Sequence, residues 1–283
     1  MTRKVKGKIL KYIIIILGLI SLAVSIFLFA YIFAKGARVL SPSFIAGKPK
    51  GIPLGSEGGI GPAITGSLSN GVLSQLISGF FGIGTGLYLA FYNENRKLKG
   101  AIHLVNQVLS GVPSIIYGLV TYTVFIFILG QSRSLLVASI SIAVMTLPFI
   151  SLRAKKLFIE KGRDYYIQGL NLGLSREYTI RRVVIPNVWR DIVGIMLLSM
   201  AYGMGATAPI MYTGVVINAG HPKSILKPFM SLPYHLYILV TNGISQEQAY
   251  GTAAVLMALL LIIQLTVRSF SSHRARRGED DRG

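Results

Sequence analysis

The apolar positions of this chain fall into long, nearly unbroken runs and show no period-two alternation. Runs of this length read as helices that satisfy their own backbone polar groups inside lipid. Six spans are predicted: Tyr12–Ala34, Ala63–Tyr92, Ala101–Leu129, Ser134–Leu152, Ile192–Ile217 and Ala249–Val267. The second and third are long enough to tilt or to begin outside the hydrocarbon. The first follows basic residues, as a signal peptide does, but it is too long for a signal h-region and no small-x-small site follows it, so it reads as an uncleaved span. The expected fold class is all-α, a polytopic helical membrane protein. Its parts are a basic N-terminus (1–11), a first span (12–34), a five-helix core (63–267) carrying a large polar loop (153–191), and a disordered tail (268–283).

Composition agrees with that pattern. Of 283 residues, 52% are hydrophobic and only 14% charged, where a soluble domain carries nearer a quarter. The net charge of +19 would point to nucleic acid in a soluble protein, but its distribution gives another reading. With the N-terminus inside, 22 of the 29 basic residues fall in cytoplasmic segments and seven in external ones. That is the positive-inside pattern. It places both termini in the cytoplasm of a multi-pass plasma-membrane protein, with the lipid bilayer and not nucleic acid as the partner of this charge. Tyr31, Tyr88, Tyr92 and Trp189 fall near the predicted interfaces.

Several kinds of chemistry are disfavoured. There is no cysteine, and His103, His221, His235 and His273 lack metal-ligand spacing. No phosphate-binding glycine loop of the Gly-x-x-x-x-Gly-Lys type occurs, so no ATPase site, catalytic residue, metal or cofactor is expected. The trimmed spans hold no Asp, Glu, Lys or Arg, which counts against an ion-coupled carrier or a voltage sensor. Their milder polar residues, among them Asn70, Gln75, Asn106, Gln107, Thr146 and Thr207, suit hydrogen bonds between helices. Asn106 and Gln107 are also candidates to face a pathway. Gly82, Gly84 and Gly86 lie inside a span and suit close helix packing better than a ligand.

Two breaks stand out. Pro113 interrupts the third span, and Gly203, Gly205 and Pro209 loosen the fifth. Backbone groups freed at membrane depth must face protein or a wet cavity. Helix ends directed at such a cavity can hold an anion without a buried cation; the alternative is a packing kink. Ser114, Tyr117 and Thr207 join Pro113 and Pro209 as pathway candidates.

The loop is far longer than a turn needs. A first helix is expected from about Ile159 to Leu172, ended by Gly173 in the left-handed position. Ser175 can cap a second helix, with Glu177 in its first turn and Arg181 and Arg182 near its end. Pro186 opens the next span. Tyr166, Leu170 and Leu174 repeat every four residues as one stripe, which suits either the lipid headgroups or a partner's groove. Gly169, being small, would allow close approach of that partner.

The loop resembles the cytoplasmic loop of bacterial and archaeal ABC importer permeases, whose motif runs Glu-Ala-Ala, three residues, Gly, and ends near Leu-Pro. Here Ile167-Gln168-Gly169 stands at the Glu-Ala-Ala position, Gly173 matches the glycine and Val183-Val184-Ile185-Pro186 the end. Further segments narrow the likeness to the PstA-type permease of phosphate importers. They are Ile60–Leu68, Gly84–Tyr92, Gly111-Val-Pro-Ser-Ile-Ile-Tyr117-Gly-Leu119, Gly205-Ala-Thr-Ala-Pro209 (with Ala206 where that family has Glu) and Ser231-Leu-Pro233. They occur in order over about residues 60–265, with the C-type permease the nearest relative type. The resemblance implies a type I importer fold whose 165–186 loop holds coupling helices. The implied partners are a second, C-type permease, an ABC ATPase dimer and an external phosphate-binding protein, with inorganic phosphate as substrate. ATP-driven closure of the ATPases would move the loop and swing the bundle. A permease for another small solute, such as molybdate, sulfate or an amino acid, and a non-transporting scaffold are the competing readings.

Overall fold

The computed structural model describes residues 3–92 and 95–280, with side chains described over 10–92 and 95–268. The basic residues of the N-terminus below residue 10, and Arg274, Arg276, Arg277 and Arg282 of the tail, therefore lie outside the described side chains. Long apolar helices dominate. They are α1 (Arg3–Gly36), α2 (Pro42–Ala46), α3 (Gly61–Phe91), α4 (Arg96–Gly111), α5 (Ser114–Ile128), α6 (Leu135–Asn171), α7 (Arg176–Met204), α8 (Leu232–Thr241) and α9 (Gln246–Asp280). Five are long and apolar enough to cross a membrane, or six if α4 and α5 count as one bent span.

The bundle is centred on the α3–α6 pair. Glycines let the two backbones meet: a Cβ on Gly82 would lie 2.8 Å from Ile150 Cγ2, and one on Gly86 2.8 Å from the Lys155 amide nitrogen. Gly84, between them, faces open space. Buried polar pairs add to this seam. Ser139 donates to Asn70 Oδ1 at 2.8 Å, the kind of interhelical bond that lipid does not disrupt. The first span packs on α9, where Tyr31 meets Tyr250 edge-on at 5.9 Å. Between α1 and α3 lies a small unit. There Ser41 caps α2, and β1 (Pro49–Lys50) pairs antiparallel with β2 (Glu57–Gly58). Phe44 and Ile60 bury against Met230 and Leu232.

Three expectations from the apolar runs change. The third span is not one helix: α4 and α5 meet at 104° across Val112-Pro113. Proline removes a donor and disfavours helix at the residue before it, and Val112 is accordingly extended. The fifth span does not reach Ile217, because α7 ends at Met204. The apolar stretch beyond it is buried non-helical chain that satisfies the start of α6. The Ser134 amide donates to the Thr213 carbonyl, Leu135 to Lys227 and Leu136 to Ile225, three of the donors every helix start leaves over. Finally, α9 continues past Val267 to Asp280, so the tail expected to be disordered is helical through that residue; 281–283 lies outside the described residues.

Candidate functional site

The loop after the fourth span is a corner between two long helices. No separate first loop helix begins at Ile159. Instead α6 runs on through a π turn at Phe158–Gly162 to Asn171. Gly173, at φ +77°, ends it. The Leu174 amide bonds the Gly169 carbonyl at 3.1 Å and the Gly173 amide bonds that of Leu170 at 2.9 Å, the paired bonds of a Schellman ending. Ser175 is extended and precedes the next helix, but its hydroxyl makes no capping bond. The second arm, α7, starts at Arg176 and passes through its own π turn at Thr179–Val184 into the fifth span. Pro186 sits in the first turn after that π turn.

The corner is held from inside. Gly169 is buried against Thr179 of the other arm, so its smallness serves the contact between the arms and not the approach of a partner. Tyr166 turns inward and packs on Phe91 at the end of α3, with ring centroids 4.7 Å apart. Arg176 donates to the Phe91 carbonyl and stacks over Tyr92 at 4.1 Å. Lys161 and Asp191 bridge the arms at 2.6 Å. What remains outward includes apolar and cationic side chains beside the exposed Asp164, Gln168 and Glu177. Leu170 is exposed, Leu174 half-buried and Leu172 80% exposed, beside exposed Ile167, Tyr178, Arg181 and Arg182. The outward stripe is thus Ile167, Leu170 and Leu172, displaced from the expected Tyr166–Leu170–Leu174.

A second feature lies where the third span breaks. A cavity of about 350 Å³ opens between the α4–α5 bend, α6 and α7. Ser110 and Ser114 stand on either side of the bend, and Tyr117 forms part of the wall. Tyr117 is buried and donates its hydroxyl proton to the Leu109 carbonyl across the break, supplying a partner to one of the freed groups. On the opposite side Arg153 lies over the Phe149 ring at 5.0 Å, and Phe149 stacks on Tyr202 at 6.3 Å. Among the described residues no Asp or Glu lines the cavity. Arg153 has no hydrogen-bond or ion-pair partner among the described residues, so its donors are available to an anion.

The pathway candidates separate accordingly. Ser114 and Tyr117 line the cavity and Pro113 makes the bend beside it. Asn106 is buried elsewhere and accepts a hydrogen bond from Ser151 at 2.8 Å. Gln107 is exposed on α4. Pro209 is buried, and its carbonyl accepts from Ser141 and Thr213 at 3.0 and 3.1 Å. Thr207, half-buried in the same segment, does not reach the cavity. Sequence reasoning missed Arg153, Ser110 and Tyr202. Arg153 had a usable signal: it lies four residues after Phe149 on one helical face, though just beyond the span edge placed at Leu152.

The bundle, its bent span and its two-armed corner define a polytopic helical transport component. The chain belongs to the family of binding-protein-dependent transport system inner membrane components, whose family model matches residues 82–274. It is an ABC importer permease subunit. It is similar to the Bacillus subtilis protein named "Probable ABC transporter permease protein YqgI", with 26% identity over 95% of this chain and 96% of that one. It is likewise similar to the Methanocaldococcus jannaschii "Probable phosphate transport system permease protein PstA", at 27% identity over 94% of each chain. In fold it matches a chain of the MetNI methionine ABC transporter, with a TM-score of 0.60 at 18% identity, covering 74% of this chain and 94% of that one.

Proposed function

We propose that this chain is one of the two membrane-spanning subunits of an ATP-driven inorganic phosphate importer in the plasma membrane, with both termini cytoplasmic. One observation carries the reading. The segment Gly111–Leu119, most like PstA-type permeases in sequence, is the segment that folds into the bend and supplies Ser114 and Tyr117 to the cavity facing Arg153. A guanidinium with the Ser114 hydroxyl on the opposite wall suits a tetrahedral oxyanion, the Tyr117 and Ser110 protons being given to the Leu109 and Asn106 carbonyls. The phosphate-permease name of the Methanocaldococcus jannaschii relative, which aligns with 94% of the chain, supports the same substrate.

In this reading a C-type permease stands beside the chain, and an external phosphate-binding protein delivers the anion. An ABC ATPase dimer receives Ile167, Leu170 and Leu172 of the corner in its surface grooves. ATP-driven closure pulls on the corner. Because Tyr166 and Arg176 tie the corner to Phe91 and Tyr92, that displacement passes to α3 and, through the glycine seam, to α6 and Arg153. The chain performs no covalent step.

A second reading has one observation in its favour. No carboxylate lines the cavity to accept the proton that phosphate carries at neutral pH, which suits a fully ionised oxyanion such as sulfate or molybdate. The test is uptake into vesicles holding all the subunits. Labelled phosphate accumulating only with ATP and the binding protein supports the proposal. Accumulation of sulfate or molybdate in its place selects the second reading, and no uptake of any solute selects a scaffold.

A further inference from the structure

A second cavity, of about 380 Å³, lies at the other side of the corner, among the ends of α3 and α6 and the start of α4. Its inner wall is apolar, formed by Phe91, Phe158 and Ile159, and its rim carries Lys99, Lys155 and Arg163. Among the described residues no Asp or Glu lines it. Of the acids on this part of α6, Glu160 pairs with Lys156 at 3.6 Å, and Asp164, next to Arg163 in the chain, is exposed and outside the cavity lining. Lys155 is fixed in place, donating from Nζ to His103 Nε2 at 2.9 Å. A lysine ammonium has only donors, so that bond orients the cation without neutralising it.

Three like charges around one cavity repel one another, and an anion between them removes that cost. The cavity also has two chemistries in the right order. Its wall is apolar, and its cations follow the apolar runs of α3 and α6 in the sequence. A free phosphate ion has no use for the Phe91–Phe158–Ile159 wall. A phospholipid uses both, setting glycerol and upper acyl carbons against Ile159, the exposed part of that wall, and its phosphate on the cations. We infer that this cavity is a binding site for the headgroup of an anionic phospholipid, held by Lys99, Lys155 and Arg163. The site is separate from the Arg153 cavity and does not depend on which solute the transporter carries.

The test uses the full-length chain purified with its companion subunits in mild detergent, with bound lipid counted by native mass spectrometry. Phosphatidylglycerol remains on the wild-type protein and on an Arg96→Gln/Lys97→Gln control, whose cations lie outside the cavity. Retention falls roughly fivefold for each cation lost among Lys99→Gln, Lys155→Gln and Arg163→Gln. Arg163→Gln alone, at an exposed position, gives the measurement if the triple variant does not fold. Equal retention in wild type and variants, or equal retention of phosphatidylcholine, overturns the site. Displacement of the lipid by millimolar inorganic phosphate overturns the lipid assignment and makes this a free-phosphate site.

Discussion

Gly169 and Thr179 touch across the corner between α6 and α7. A Cβ added to Gly169 would overlap Thr179 Cγ2 and lie 2.9 Å from its Oγ1. The two residues belong to different helices, so their contact sets the angle between the end of α6 and the start of α7.

Gly169→Ala should therefore force the arms apart, costing about 1–3 kcal/mol as overpacking does. ATP-driven uptake should fall more than membrane abundance. Thr179→Ala removes both crowding atoms and should restore uptake in the double variant. A double variant no better than Gly169→Ala alone would show that the contact does not set the corner. The measurements are uptake and thermal stability of all four proteins in one membrane preparation.

Arg153→Gln should raise the KM for the transported anion by about tenfold or more, since charge-assisted hydrogen bonds contribute roughly 1.5–3 kcal/mol. Arg153→Lys keeps the charge but loses the planar stack on Phe149, and should fall between the two. Concentration-dependent uptake at fixed ATP separates these outcomes. An unchanged KM in Arg153→Gln excludes the cavity as an anion station.

Ser151→Ala leaves the Asn106 side chain without the hydroxyl it accepts from. Bonds of this kind between membrane helices contribute about 0.6 kcal/mol and at most roughly 1.7. The expected result is a lower unfolding midpoint in denaturant with KM unchanged. A KM effect as large as that of Arg153→Gln would place Asn106 on the pathway after all.

His235 lies in α8, outside the long spans, and is buried with Nδ1 lacking a partner among the described residues. Burial lowers its pKa from 6.5 to about 4. The unfolded chain thus takes up the proton first as pH falls. Stability from this residue is full above pH 6.5 and is lost between about 6.5 and 4, by up to roughly 3 kcal/mol. Melting temperatures at pH 7.5 and 4.5 should differ more in the wild type than in His235→Gln. An equal pH dependence in both would mean that other groups govern the acid limb.

Cysteines at Leu170 or Leu172 should crosslink to the ATPase in the assembled complex, while one at Tyr166, turned onto Phe91, should not. Crosslinking at Tyr166 but at neither leucine would reverse the face assigned to the coupling surface.

Much of this was readable in the residues, for identifiable reasons. Gly173 was legible because a left-handed residue after a polar helix nearly always requires glycine. The break at Pro113 was legible because proline lacks a donor, but the 104° angle was not, since both arms of the bend pack against α6. The fifth span ends before its hydropathy does, because hydropathy registers burial and not conformation. The stretch after Met204 is apolar since residues 209–215 pack largely buried against α6, where the Thr213 carbonyl serves the Ser134 amide. Ser175 marked a helix start correctly, yet its hydroxyl makes no capping bond. Arg153 was passed over because a cation at a span edge looks like a topology signal, and its stacking on Phe149 emerges only in three dimensions.

The two π turns that flank the corner give each arm its own phase. A π turn winds one more residue per turn than an α-helix, so the helix on its far side is rotated relative to an uninterrupted one. Ile167 and Leu170 point outward in part because Phe158–Gly162 contains that additional residue. Deleting one residue there would shorten the arm by only about 1.5 Å but turn its outward face by about 100°. For this chain a one-residue indel in the arm acts as a rotation of the coupling face, and a second indel in Thr179–Val184 would have to compensate it in angle, not in length.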